Sequence, residues 1–208
     1  MKTPRTTHLL AAFFVALSCP APAQSEPQTY ANPAVGLEMT YPGTWQVINK
    51  SVVDGALASA EGKDQVPQET ADATSFIALT LAKPRVIDGV AHNPNVNVMV
   101  VPLPPEQAEG FDLEARMQSQ MATVGQIPGA EITADALPLE KNPEVPNFSA
   151  RIPQPNGTAT QYYYTYWRSP RLVQIAFTVS HPEDEAEVKE MIRSIRIKEP
   201  DAPAADGN

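Results

Sequence analysis

Residues 148–179 read FSARIPQPNGTATQYYYTYWRSPRLVQIAFTV, and this stretch decides the class of fold. Phe148 to Ile152, Ala159 to Arg168 and Leu172 to Val179 are rich in aromatic and β-branched residues, the side chains that fit a pleated, half-buried surface. The turn dipeptide Asn156-Gly157 separates the first two runs, and Ser169-Pro170 breaks the chain before the third. Connections this short join antiparallel neighbours, so the segment predicts a three-strand meander. In the middle strand Tyr162, Tyr164 and Tyr166 fall on one face, and Tyr163, Thr165 and Trp167 on the other. A strand aromatic on both faces is expected to be central and covered on both sides, its hydroxyls reaching the sheet margin. The competing reading is a tyrosine-lined surface for a partner, with Tyr162, Tyr164, Tyr166 and Trp167 as the candidate contacts.

Working outward, Ser180-His181-Pro182-Glu183 has the form of a capping box with proline in the first turn. It opens a predicted helix in which Val188, Met191, Ile192 and Ile195 share a face. Glu183, Asp184, Glu185 and Glu187 crowd its start and Arg193, Arg196 and Lys198 its end, the distribution that a helix dipole favours. That electrostatic reason suffices for the acidic cluster, and no metal site is assigned to it. Upstream, Val35, Leu37, Met39 and Tyr41 alternate with small or polar residues as a half-buried strand does, before a turn at Pro42-Gly43. Ser75 to Lys83 and Asn95 to Leu103 predict two more strands, and the connection between them carries Asp88-Gly89, which suits a hairpin arm. Asp112 predicts the N-cap of a helix through Val124, with Leu113, Met117, Met121 and Val124 on its core face and Gly125 as its stop. Residues 25–32 read as a polar lead-in, 49–73 as a long surface loop and 199–208 as a disordered tail.

The first 23 residues carry a different message. Lys2 and Arg5, the apolar run Leu9 to Leu17 and the small-x-small triplet Ala21-Pro22-Ala23 make an export signal, cleaved after Ala23 so that the mature chain starts at Gln24. The run is shorter than the roughly 20 apolar residues that span a bilayer. Cys19, the single cysteine, raises the alternative of a lipid anchor. Ala16 stands where a lipobox wants leucine and Pro20 follows directly, so removal of Cys19 with the signal is favoured. The expected location is periplasmic or secreted, with no integral membrane segment after cleavage.

Two of the 15 basic residues and none of the 24 acidic ones fall in residues 1–23, which leaves 13 against 24 and a net charge of −11. Such a surface repels nucleic acid and anionic lipid. A mature chain without cysteine has neither disulfide nor thiolate chemistry, so its core alone must hold it, and residues 24–198 are long enough to form one such domain. His92 and His181 lie in no metal-ligand spacing, and there is no G-x-S-x-G elbow or Gly-rich phosphate loop. A serine, a histidine and an aspartate could still meet in space, and paired carboxylates leave no signature in sequence.

The segments Val35-Gly36-Leu37-Glu38-Met39-Thr40-Tyr41-Pro42-Gly43-Thr44-Trp45, Pro94-Asn95-Val96-Asn97-Val98, the aromatic meander, and Met191-Ile192-Arg193-Ser194-Ile195-Arg196-Ile197 resemble the PsbP-like superfamily, including its DcrB- and LpqN-type bacterial envelope members. Tyr-Pro-x-x-Trp near the start and Ser-x-Arg-Ile at the end are the best markers. The resemblance implies an α/β fold, an antiparallel sheet flanked by helices on both faces in an α/β/α sandwich. It also implies a binding or accessory role without cofactor or catalytic residues, and it carries over no site residues. The expectation is an exported, non-enzymatic domain that binds an envelope protein or a small ligand through the 49–73 loop or the edge near Tyr162 to Trp167. The alternatives are a secreted hydrolase and a lipoprotein component of a secretion or immunity system.

Overall fold

The computed structural model describes residues 26–48, 76–87, 89–154 and 157–198. The expected signal segment with Cys19, the 49–73 loop and the tail lie outside them. The meander is present: β9 (Asn147–Gln154), β10 (Gly157–Arg168) and β11 (Arg171–Val179) pair antiparallel, with Tyr162 opposite Phe177 and Tyr164 opposite Ile175. Around it, β3 (Gln46–Val47), β4 (Ile77–Ala82), β7 (Asn95–Pro102) and β8 (Glu131–Ala134) complete a seven-stranded antiparallel sheet, ordered β3-β4-β7-β11-β10-β9-β8.

The two faces of β10 divide the core. Tyr162, Tyr164 and Tyr166 enter the larger cluster with Leu81, Val96, Val98, Ile175 and Phe177. Its cover is a second sheet, β1 (Gln28–Asn32), β2 (Leu37–Tyr41) and β12 (Arg196–Ile197), together with α3 (Glu185–Ser194), which contributes Val188, Met191 and Ile192. On the other face Tyr163 stacks on Phe148 at 4.5 Å between ring centroids, beneath Met117 and Val124 of α2 (Leu113–Val124). A four-residue helix, α1 (Pro105–Ala108), precedes α2. The α/β expectation therefore holds in its coarse form, antiparallel sheets with a few helices. A layer of helix on each face is too simple, because a three-stranded sheet does much of the covering on one side.

That small sheet joins the two sequence markers. Val35, Leu37, Met39 and Tyr41 are buried, as their alternation predicts, Trp45 is buried with them, and β2 lies between β1 and β12. The Thr40 amide donates to Ser194 Oγ at 2.9 Å, Leu37 sits opposite Ile197, and the Lys198 amide donates to the Gly36 carbonyl at 2.9 Å. Gly36 has φ +71°, and a Cβ there would stand 2.2 Å from the Lys198 carbonyl oxygen, so only glycine lets the strands approach. Gln28–Asn32, read as a lead-in, is instead a strand: Tyr41 Oη donates to Gln28 Oε1 at 2.9 Å and the two strands pair along their whole length.

Asp112 does cap α2, accepting from the Ala115 amide at 2.9 Å. The cap before α3 differs from expectation. His181, not Ser180, accepts from the Glu183 amide, and it caps a short 3-10 turn (Pro182–Asp184) that leads into α3.

Candidate functional site

The predicted arm exists as a separate two-stranded ribbon, β5 (Arg85–Ile87) and β6 (Val90–His92), bonded to neither larger sheet. An isolated hairpin is marginal in water, so the ribbon needs anchoring at its base. The anchor is where Lys, Arg, Asp, Glu and His converge. Arg85 donates from Nη2 to Asp184 Oδ2 at 2.8 Å and from Nη1 to Glu183 Oε2 at 3.0 Å. Lys83 places Nζ 2.8 Å from Glu187 Oε2, and the Trp45 indole donates to the same oxygen at 2.9 Å. On the second strand His92 Nδ1 lies 3.1 Å from the Ser180 carbonyl, and its ring meets that of His181 edge-on at 5.0 Å. The ribbon base is thus tied to the start of α3 by both of its strands.

Burial sets the electrostatics. Asp184 is 0% exposed; desolvation pushes its carboxyl above the ordinary value, while Arg85 and Lys83 pull against it. Glu187 moves the other way. Burial would raise it, but the hydrogen bonds from Lys83 and Trp45 and the charges of Lys83 and Arg85 hold it below the ordinary carboxylate value. Glu183, 65% exposed, adds little to the anchoring of Arg85.

This is also where Ser180, two histidines and Asp184 meet, the coincidence that a hydrolase reading needs. A triad requires the serine hydroxyl bonded to an imidazole and that imidazole to the carboxylate. The wiring here is different. Ser180 Oγ is buried without a hydrogen-bond partner, His92 is bonded to the Ser180 carbonyl instead, and the bonded oxygen of Asp184 is taken by Arg85. The carboxylates serve the cations of the ribbon, and among the described residues no group of three or more His, Cys, Asp or Glu is arranged to hold a metal ion.

The aromatic candidates lie elsewhere. Tyr162, Tyr164 and Tyr166 are buried in the larger core, Tyr164 donating to the Leu137 carbonyl at 2.7 Å and Tyr166 to that of Val35 at 3.2 Å. Desolvation raises all three phenols. Only Trp167 reaches partway to solvent, on the opposite face, stacked on Phe111 at 4.5 Å. The structure therefore separates Trp167 from the three tyrosines; of the four only Tyr162 reaches the start of α3, its hydroxyl donating to Glu185 Oε1 at 3.5 Å, outside the pairing of Lys83 and Arg85 with Asp184 and Glu187. Lys83 closes the strand predicted from Ser75, Arg85 lies in the connection after it, and the sequence singles out neither. Their signal, two cations flanking Pro84 at a strand exit, is too common to single them out.

The path of the chain permits comparison with known structures. The fold is similar to that of PsbP. Cyanobacterial PsbP (CyanoP) of Synechocystis sp. PCC 6803 matches with TM-score 0.45 and 11% identity over 88% of this chain and 99% of that one. The Ran-binding protein Mog1p of Saccharomyces cerevisiae matches with TM-score 0.44 and 12% identity over 83% and 96%. A protein of Bacteroides thetaiotaomicron VPI-5482 matches with TM-score 0.41 and 10% identity over 82% of this chain; the chain spans about half of its length, 48%. No family model and no curated protein matches. Ran binding belongs to Mog1p, and likeness at this level concerns the course of the chain alone.

Proposed function

We propose that this chain is an exported, non-catalytic binding or accessory domain of the cell envelope that recognises a protein partner or a small ligand. The observation that supports this reading is how the convergence of ionisable groups at the ribbon base is used. Lys83, Arg85, Asp184 and Glu187 are paired with one another, and the product of that pairing is a fixed ribbon. The ribbon carries Val86 at 70% exposure, the most exposed large apolar side chain among the described residues, with Ile87 and Val90 half-buried beside it. Export rests on the pattern of residues 1–23, and no helix among the described residues is long and apolar enough to cross a membrane.

Immobilised mature chain incubated with envelope extract tests the binding role, with alanine substitutions at Val86, at Trp167 and across residues 49–73 as separate baits. A specific partner lost from one bait places the contact; unchanged recovery from all three removes these surfaces. The hydrolase alternative is addressed with the same preparation: turnover of ester, amide or glycoside substrates that disappears with Ser180→Ala or Asp184→Asn would replace the binding reading. Mass spectrometry of the mature N-terminus separates cleavage before Gln24 from an acylated Cys19.

A further inference from the structure

The two histidines at the ribbon base are wired unequally. Nδ1 of His181 accepts from the Glu183 amide at 3.3 Å and lies 3.4 Å from Arg85 Nη2. A backbone N–H and a guanidinium can only donate, so this nitrogen must present its lone pair and the neutral ring carries its hydrogen on Nε2. His92 faces the Ser180 carbonyl, which can only accept, so its Nδ1 carries hydrogen in either charge state. A second proton on His92 leaves its bond intact. A second proton on His181 removes the one acceptor that the helix entry and the ribbon share, and sets an N–H against two other N–H groups.

We propose that His181 is a proton-operated latch: the β5–β6 ribbon is held to the start of α3 while Nδ1 is unprotonated and loosens when Nδ1 takes up a proton. The groups facing the ring come from three elements. Arg85 on β5 repels an imidazolium, and His92 on β6 meets the ring edge-on at 5.0 Å. In its own turn, Glu183 Oε2 at 4.0 Å from Nδ1 and buried Asp184 attract one. Both carboxylates are already engaged by Arg85, and neither restores an acceptor to the Glu183 amide. Lys83 stands behind Asp184 at 4.0 Å and reinforces the repulsion. Asp184 is a second acid-sensitive contact that acts in the same sense: burial raises its carboxyl, and protonation removes the charge that holds Arg85. That contribution is the same in any variant that alters only His181. The latch follows from the ribbon base alone and stands whether or not an envelope partner is found.

The test is amide hydrogen exchange, corrected for intrinsic rates, on the full mature chain at about pH 8 and about pH 5, the interval over which histidine ordinarily changes charge. Protection at Ile87 and Val90 is read against β10 and β11 in wild type, His181→Asn and His92→Gln. Asparagine offers a good cap acceptor that does not titrate. Wild type should lose ribbon protection about fivefold on acidification, the worth of one cap, while the sheet keeps its own. His181→Asn, which keeps only the Asp184 contribution, should lose clearly less protection than wild type, and His92→Gln should follow wild type. An equal fall in His181→Asn, or no fall in wild type, overturns the latch. Should His181→Asn not unfold cooperatively in urea at the higher pH, His181→Ser supplies another cap acceptor under the same criterion.

Discussion

Replacing Arg85 by methionine tests the ribbon anchor at its most consequential contact. In the native protein Arg85 Nη2 lies 2.8 Å from Asp184 Oδ2, and the aspartate side chain is 0% exposed. Without the guanidinium the nearest cation is Lys83, 4.0 Å from Oδ1 and already 2.8 Å from Glu187. Removing one partner of a buried pair costs ~3–5 kcal/mol because the surviving charge stays buried. Lys83 offsets part of that, so a loss of about 3 kcal/mol is expected at neutral pH. Removing both charges in Arg85→Met/Asp184→Leu leaves nothing uncompensated and should return the protein to within about 1 kcal/mol of wild type. Urea unfolding followed by far-UV circular dichroism measures both; with a slope of about 2 kcal/mol/M, the single substitution moves the midpoint down by about 1.5 M. The reasoning is refuted if the single variant loses less than about 1 kcal/mol, as an exposed pair would, or if the double variant is as unstable as the single.

Other expected outcomes follow from the same contacts. Gly36→Ala must absorb both a positive φ and a Cβ 2.2 Å from the Lys198 carbonyl, so it should cost at least about 2 kcal/mol and lower the melting temperature by about 5 °C or more, with β12 released from β2 in NMR spectra. Tyr164→Phe deletes the hydroxyl bonded to the Leu137 carbonyl at 2.7 Å in a residue only 1% exposed; calorimetry should report a loss of about 1–2 kcal/mol, and an unchanged transition would mean that the bond adds nothing. Glu187 is held below its ordinary value, so its contribution is complete above the ordinary carboxylate range and is lost as the pH falls through the lower, folded-state value. Urea midpoints across an acid series should therefore fall less steeply in Glu187→Gln than in wild type, and parallel curves would contradict the assignment.

The parts of the fold legible in the sequence are those where a local pattern and the tertiary environment agree. The meander could be read because β9, β10 and β11 are neighbours both in the chain and in the sheet, and Asp112 could be read because a cap is a three-residue event. β1 and β12 could not. Gln28–Asn32 has no apolar alternation of its own, and Arg196–Ile197 is two residues long; each is a strand only because β2 lies between them. The cap before α3 falls one position later than the pattern places it because an imidazole lone pair does the work usually assigned to a hydroxyl, which leaves Ser180 Oγ without a partner. The charge cluster was hidden for a different reason. Lys83 and Arg85 lie about a hundred positions before Asp184 and Glu187, and the helix dipole already accounted for the acids. The tyrosines show that residue type does not settle exposure. Tyr162, Tyr164 and Tyr166 suit a binding surface as well as a core, and the second sheet, whose first strand carries no signal, covers them together with α3.

The central claim is that the convergent charges hold a recognition ribbon and perform no chemistry. The measurement that bears on it most directly is quantitative recovery of envelope proteins on immobilised mature chain, wild type against Val86→Glu, a substitution at a site 70% exposed that leaves the anchor untouched. The account predicts one partner retained by wild type and depleted at least tenfold on the variant, with equal urea midpoints for the two. Equal recovery on both, or substrate turnover that depends on Ser180 or Asp184, would contradict it.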